Sequence, residues 1–321
     1  MFRILLFLTV AVVVTIPAFD RVAEAAADSD VSIRVRPGGD IQAAIDALPA
    51  KGGTVRIAPG AYRGQVRIGK PDVQLIGEGE RPQEVRIVAS ESAATQGSIY
   101  ASATVHVAGE GFRARNLSFV NDWESRNRGS SQAAALAVSG DRALFEQVVV
   151  SGGQDSLYLA RPPGRMTRQV FRNCRVEGHV DFIFGNAKAY FDRCTIHGLR
   201  HDKVMYTAQS RNHATDESGF VFHRCTFTAD QPREIYLGRP WRPYARVILI
   251  DSQIVAPLSP GGWREWKPGL TNDAKTAMFA EYGTVHAAGP PQRSKIRQLT
   301  TAQAQAWTLD AFLGGDTGWA R

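Results

Sequence analysis

A short pattern recurs through the middle of the chain. FEQVVVSGG begins at Phe145, FRNCRVEGH at Phe171, FDRCTIHGL at Phe191 and FHRCTFTAD at Phe222. Each copy has Phe, two mostly polar residues, Cys or Val, and an apolar residue two further on. FRARNLSFV from Phe112 reads as a weaker copy. Successive phenylalanines lie 33, 26, 20 and 31 residues apart. A fixed short motif with variable spacing describes coils joined by loops of unequal length. Periods of this size point to a solenoid, in which each unit buries its apolar face against its neighbours.

Strand content decides which solenoid. Val, Ile, Phe and Thr recur in short alternating runs such as TVRIAPGAY, DVQLIGEG, EVRIVAS, ATVHVAG and RVILIDSQIV, separated by polar and glycine turns. Long helical periodicity is missing between them, so the repeats are β rather than helical. The expected fold class is all-β, a right-handed parallel β-helix with short capping helices at its ends; a sandwich or propeller is the alternative. An end coil lacks a neighbour and needs a cover. Asp40 could N-cap a helix whose apolar face is Ile41, Ala44, Ile45 and Leu48, and TTAQAQAWTLDAFL (300–313) is the other helical candidate. Cys174, Cys194 and Cys225 each follow a repeat Phe by three residues and should stack on successive coils. Coils ~4.8 Å apart permit a disulfide between neighbours, and three buried thiols are the alternative.

The N-terminus is read apart from this fold. Arg3, the apolar run Ile4–Val14 and the Ala23-Glu24-Ala25 cleavage pattern predict a secretory signal peptide over residues 1–25. The run falls short of the ~20 residues that span a bilayer, so no membrane anchor is expected. Residues 26–321 then form one domain, secreted or periplasmic. At 321 residues and 44% hydrophobic content the chain can bury a large core. The net charge of +7 favours anionic partners, and export makes an acidic polysaccharide the best of these. No RNA-binding motif or Arg/Lys-rich block suggests nucleic acid.

Two acids stand where carboxylates are seldom found. Asp181 lies between Val180 and Phe182 in GHVDFIFGNA, a run that reads as a buried strand. Asp155 lies in SGGQDSLYL, and both acids fall ten residues after their repeat Phe, 145 to 155 and 171 to 181. The repeat therefore puts them on one face of adjacent coils. Carboxylates so close have coupled titrations that are pushed apart, leaving one as nucleophile or base and the other as general acid. Taken singly, either acid would be an Asx-turn residue.

At these residues the chain resembles the pectin methylesterases, over roughly residues 40 to 319. The resemblance rests on TVRIAPGAYRGQV, GEGFRARNLSFVND, SQAAALAVSGDRALF, GGQDSLYL, GHVDFIFGNA, YLGRPW, FAEYGT and AQAWTLDAFLGGDTGW. It implies a parallel β-helix that hydrolyses methyl esters of galacturonate in pectin, acting as a monomer on homogalacturonan without cofactor or metal. By the same resemblance Asp181 would be the nucleophile and Asp155 the acid and later the base. Gln132 and Gln154 would bind the oxyanion, and Arg239 would hold Asp181. Trp241 would pack on a sugar ring, and Tyr158, Phe184, Thr104 and Val180 would line the substrate groove. His179, His197 and His201 belong to no catalytic set and read as structural or groove-lining. Relatives pair the positions of Cys174 and Cys194, which makes that the preferred bridge; Cys194–Cys225 is the other. Ala134 and Ser156 depart from the Val and Thr common in the family, and Met166–Arg168 and Trp263–Pro268 are candidates for shaping preference.

Three other functions fit such a fold. A polysaccharide lyase would want acids clustered for calcium and a Lys or Arg base, whereas here glutamines flank the pair. A relative could act on another ester or a thioester. A non-catalytic carbohydrate-binding β-helix would leave catalytic positions unfilled, and here each is filled. Fold alone does not choose among these; the site does.

Overall fold

The computed structural model describes residues 31–127, 129–267 and 273–321, without the side chains of 273 and 274. The signal-peptide expectation over residues 1–25 lies outside them. Among the described residues, strands form three sheets of eleven, nine and seven strands, and every pairing is parallel. The chain visits the sheets in turn. One coil runs through Ala143–Glu146, Val149–Ser151 and Leu157–Leu159, and the next through Arg168–Arg172, Arg175–Gly178 and Ile183–Gly185. This is the right-handed parallel β-helix that the repeat implied.

The phenylalanine register is real from Phe145 onward. Phe145 pairs with Phe171, Phe171 with Phe191 and Phe191 with Phe222. Their rings stack inside the helix with centroids 4.5, 4.8 and 4.6 Å apart. The weaker copy is out of step, because Ala114, not Phe112, pairs with Phe145. Phe112 is fully buried all the same and packs on Phe145 from the preceding turn, with ring centroids 5.6 Å apart. Core volume is conserved there while register is not.

The bend after six successive strands of the eleven-stranded sheet is made by one residue in the left-handed region: Asn116, Gln147, Asn173, Arg193, Arg224 and Asp251 all have φ between 47° and 56°. A cysteine follows this bend in three coils. No disulfide forms: Cys174, Cys194 and Cys225 are all free and buried. Each thiol lies within reach of a backbone carbonyl of the previous coil. Cys174 Sγ donates to Phe145 O (3.4 Å), Cys194 Sγ to Phe171 O (3.3 Å) and Cys225 Sγ to Phe191 O (3.4 Å). Equal register thus gives a hydrogen-bonded thiol stack, correcting the expected bridge.

The ends are treated differently. Helix Ile41–Asp46 is N-capped by Asp40, which accepts from the Ala43 N–H at 3.1 Å, and its buried Ile41, Ala44 and Ile45 join the first core residues. The C-terminal segment is not the one helix expected over 300–313. It breaks into Thr301–Ala304, a 3-10 turn Gln305–Trp307 and Leu309–Leu313. It lies along the outer face of the eleven-stranded sheet, where Phe312 and Leu313 cover Leu144, Val170, Tyr190, Val221 and Ile248. That face is apolar, which is why these strands read as continuous hydrophobic runs. Arg168 clamps the segment, pairing with Asp141 at 2.7 Å and lying 5.8 Å from the Trp319 ring, so this residue stabilises the fold.

Candidate active site

Both acids sit at the same bend on adjacent coils. Leu157 pairs with Ile183, so Asp155 and Asp181, each two residues earlier, occupy equivalent positions about 4.8 Å apart along the helix axis. Both adopt left-handed backbone, with φ 61° and 54°. Such residues are uncommon outside glycine and persist where the surroundings hold them. Here the Asp155 N–H donates to Val180 O at 3.1 Å, tying the two bends together. Gly178 lets them close: a Cβ there would lie 2.5 Å from Phe182 Cβ and 2.6 Å from Ser156 Oγ.

Burial and charge divide the pair. Asp155 is 6% exposed and Asp181 3%. Arg239 grips Asp181 with both edges of its fork, Nε to Oδ1 at 3.0 Å and Nη2 to Oδ2 at 2.6 Å. Burial raises both acids above the usual carboxylate range. For Asp181 the hydrogen bonds and charge of Arg239 oppose that rise, with help from the charge of Arg264. For Asp155 the charge of Asp181 adds to burial, and the more remote Arg239 offsets only part, so it is held well above its ordinary value. Asp181 therefore gives up its proton first. The site holds one charged and one protonated carboxyl over a common pH range.

Two amides stand beside them. Gln154 immediately precedes Asp155, and Gln132 lies one coil earlier, where the neighbouring Ala133 N–H donates to Gln154 O at 3.1 Å. Both side chains are half-buried, and neither amide makes a side-chain hydrogen bond among the described residues. They are free to donate to an incoming oxygen.

The outward face of the seven-stranded sheet forms an aromatic wall. Ala137, Tyr158, Phe184 and Ala208 are in register there. Tyr158 and Phe184 stack with centroids 4.5 Å apart and planes 1° from parallel. Trp241 meets Phe184 edge-on at 6.1 Å. Tyr100 meets Tyr158 edge-on at 6.3 Å. Val180 is half-buried beside Asp181. Two of the expected lining residues are buried: Phe184 is 3% exposed beneath Tyr158, and Thr104 is fully buried with its hydroxyl donating to Val120 O at 2.9 Å. Thr104 braces the wall from inside and offers no groove surface. Among the described residues, no cluster of His, Cys, Asp or Glu is placed to hold a metal ion.

Of the remaining neighbours, Glu124 was not singled out from sequence, whereas the Trp263–Pro268 segment and the three histidines were. The Trp266 ring lies 4.2 Å from the Arg239 guanidinium and 6.5 Å from Trp241. Trp263, three residues earlier, is core and stacks on Phe279 at 4.8 Å. The sequence offers two tryptophans in one irregular loop, and no periodicity says which faces the site. Glu124 bonds His179 at 2.7 Å, and His201 stacks on His179 at 4.2 Å. His197 bonds Thr228 at 2.8 Å away from the acids.

The family model described as Pectinesterase matches residues 34–316. A probable pectinesterase/pectinesterase inhibitor of Arabidopsis thaliana is 34% identical over 295 residues, covering 85% of this chain and 50% of the relative. Pectinesterase 3 of Citrus sinensis is 33% identical, with 86% and 49% covered. The chain thus spans about half the length of the curated relatives it matches. Among solved structures, pectin methylesterase from carrot superposes with a TM-score of 0.78 at 28% identity, covering 90% of this chain and 94% of that one.

Proposed function

The chain belongs to the pectinesterase family, and from that premise we propose that it is an exported esterase removing methyl groups from galacturonate units of pectin. The observation that carries this reading is the carboxyl pair: Asp181 gripped by a bidentate Arg239, with Asp155 one coil away and held well above its ordinary range by burial and the Asp181 charge. A hydrated carboxylate is a weak nucleophile. Burial strips its water while the guanidinium keeps it charged and aimed.

The chemistry runs in two halves. An Asp181 oxygen attacks the ester carbonyl carbon, and the electron pair moves onto the carbonyl oxygen. Gln132 and Gln154 donate to that oxyanion; one such donor typically contributes ~2.7–4 kcal/mol. On collapse the carbon–methoxy bond breaks and Asp155 passes its proton to the leaving oxygen, releasing methanol and leaving an acyl anhydride on Asp181. Asp155, now a carboxylate, takes a proton from water as the water oxygen attacks the acyl carbon. The product acid leaves and gives its proton to solvent as galacturonate, Asp181 is a carboxylate again, and Asp155 keeps the proton it took from water. Trp241 and Tyr158 offer apolar ring surface to the sugar rings, with the buried Phe184 backing both, and the net charge of +7 suits the anionic product strand. The residue pattern at 1–25 supports secretion or periplasmic export, and the enzyme works as a monomer on the polymer.

Methanol release from highly methylated pectin tests this reading. The wild type should release methanol, and Asp181→Ala should release none while remaining folded. Arg239→Ala should lower kcat about 10²-fold or more, because the nucleophile is no longer aimed. Unsaturated chain ends without methanol would identify a lyase instead and sink the esterase reading.

A further inference from the structure

Behind the acids, one carboxylate–imidazole pair ties together three separate segments. Glu124 is on the short helix Trp123–Asn127, inserted between strands of different sheets. Its Oε2 lies 2.7 Å from His179 Nε2. His179 immediately precedes Val180, and its Nδ1 accepts the Val180 N–H at 2.8 Å. A backbone N–H can only donate, so Nδ1 carries no proton and the ring proton is on Nε2, directed at Glu124. The His179 N–H donates to Gly153 O (3.2 Å), and the Met205 N–H donates to His179 O (2.9 Å). His201 covers the other face of the imidazole with rings 10° from parallel.

The Glu124 carboxylate also presses on the Asp155 bend. A Cβ at Gly153 would lie 1.8 Å from Glu124 Oε2 and 3.0 Å from His179 Nε2, so any side chain there would have to displace the Glu124 carboxylate. The His179 hydrogen bond pulls Glu124 below its usual range, and the Gln154 backbone amide contributes. The pair therefore touches the GGQD bend on one side and fixes the Val180 peptide on the other. The carbonyl of that same residue accepts from the Asp155 N–H. Both acids hold left-handed backbone that must be over-determined by its surroundings.

We propose that Glu124 and His179 are positioning residues for the esterase reaction: they lock the Val180 peptide, and through it aim Asp181 relative to Asp155 and Gln154. The idea rests on the esterase reading above. In this proposal neither residue contacts substrate, so the lock acts on kcat through geometry and leaves KM largely unchanged. Glu124→Gln keeps an oxygen that accepts from Nε2–H and preserves the tautomer. Glu124→Ala and His179→Ala remove the lock from either side.

The test combines kinetics with a readout independent of turnover. On methylated pectin, Glu124→Ala and His179→Ala should each lower kcat about tenfold with KM within about twofold. The double variant should fall no further than either single one, since both break one device. Glu124→Gln should recover most of the rate. Thermal melts establish that each variant is folded at the assay temperature. Wild-type kcat in folded His179→Ala, or fully additive losses in the double variant, would overturn the proposal. In parallel, nitrogen chemical shifts of labelled histidine should show His179 protonated on Nε2 alone in the wild type. A proton on Nδ1 would overturn the lock whatever the activity. Absence of methanol from the wild type together with an Nε2–H tautomer would refute the esterase reading and with it the kinetic role, while leaving the Glu124–His179 hydrogen bond standing.

Discussion

Asp155 faces opposed demands from folding and from the proposed catalysis. Burial and the neighbouring Asp181 hold its proton far above the range of an unfolded aspartate. Between the unfolded and folded values the native state therefore binds one proton more than the unfolded chain. Stability must fall as pH rises through that window, at about 1.4 kcal/mol per pH unit for one such group. The stabilisation is complete below the ordinary carboxylate range and is lost as pH rises through the folded value. Asp155→Asn removes the titration, so it should abolish turnover yet unfold at a higher temperature than the wild type near neutral pH, with the gap closing in acid. Melting curves across pH check this, and a variant less stable than wild type at neutral pH would contradict it. Both acids were legible in the sequence because their offset from the repeat Phe is the same. Thr104 was misplaced as groove lining because a residue at a strand's start can point either way, and only the hydroxyl bond to Val120 O decides it. Glu124 was invisible for another reason: its partner is 55 residues away and no repeat relates them.

At the scale of the element, the coil is held by equivalent residues stacked on one another. The rings of Phe145, Phe171, Phe191 and Phe222 form a continuous column inside the helix. Phe171 touches a ring on each side and is fully buried. Phe171→Ala should cost about 3–5 kcal/mol, read as a lower denaturation midpoint, because neighbours on both coils are too regular to collapse into the void. A loss below about 1 kcal/mol would mean that the column is not a structural spine. The repeat predicted this column wherever strand and motif keep step. It failed at Phe112, where the ring enters the core from a turn and the register position passes to Ala114. For the cysteines it placed the stack on adjacent coils but not their state, since all three remain free thiols.

For the whole molecule, charge and shape act together. The net charge of +7 makes a field that attracts anionic chain, and Arg242 and Arg264 carry part of it beside the aromatic wall, over Trp241 and Tyr236. Exposed charges lose reach as the Debye length shrinks. Raising ionic strength from about 0.01 M to about 0.15 M should therefore raise KM for partly de-esterified pectin far more than for fully methylated pectin. Initial rates on the two substrates give the comparison, and equal salt sensitivity would remove the field from substrate capture. The sequence by itself determined the coil and the placing of two acids on adjacent turns, because alternation and the Phe repeat are local properties that stacking merely copies from one turn to the next. Tertiary structure alone decided which carboxyl keeps its proton, since that depends on an arginine 58 residues away from Asp181. It also decided where the C-terminal segment docks and how Glu124 reaches His179. These contacts join segments that no period relates, so their geometry exists only once the coils have stacked.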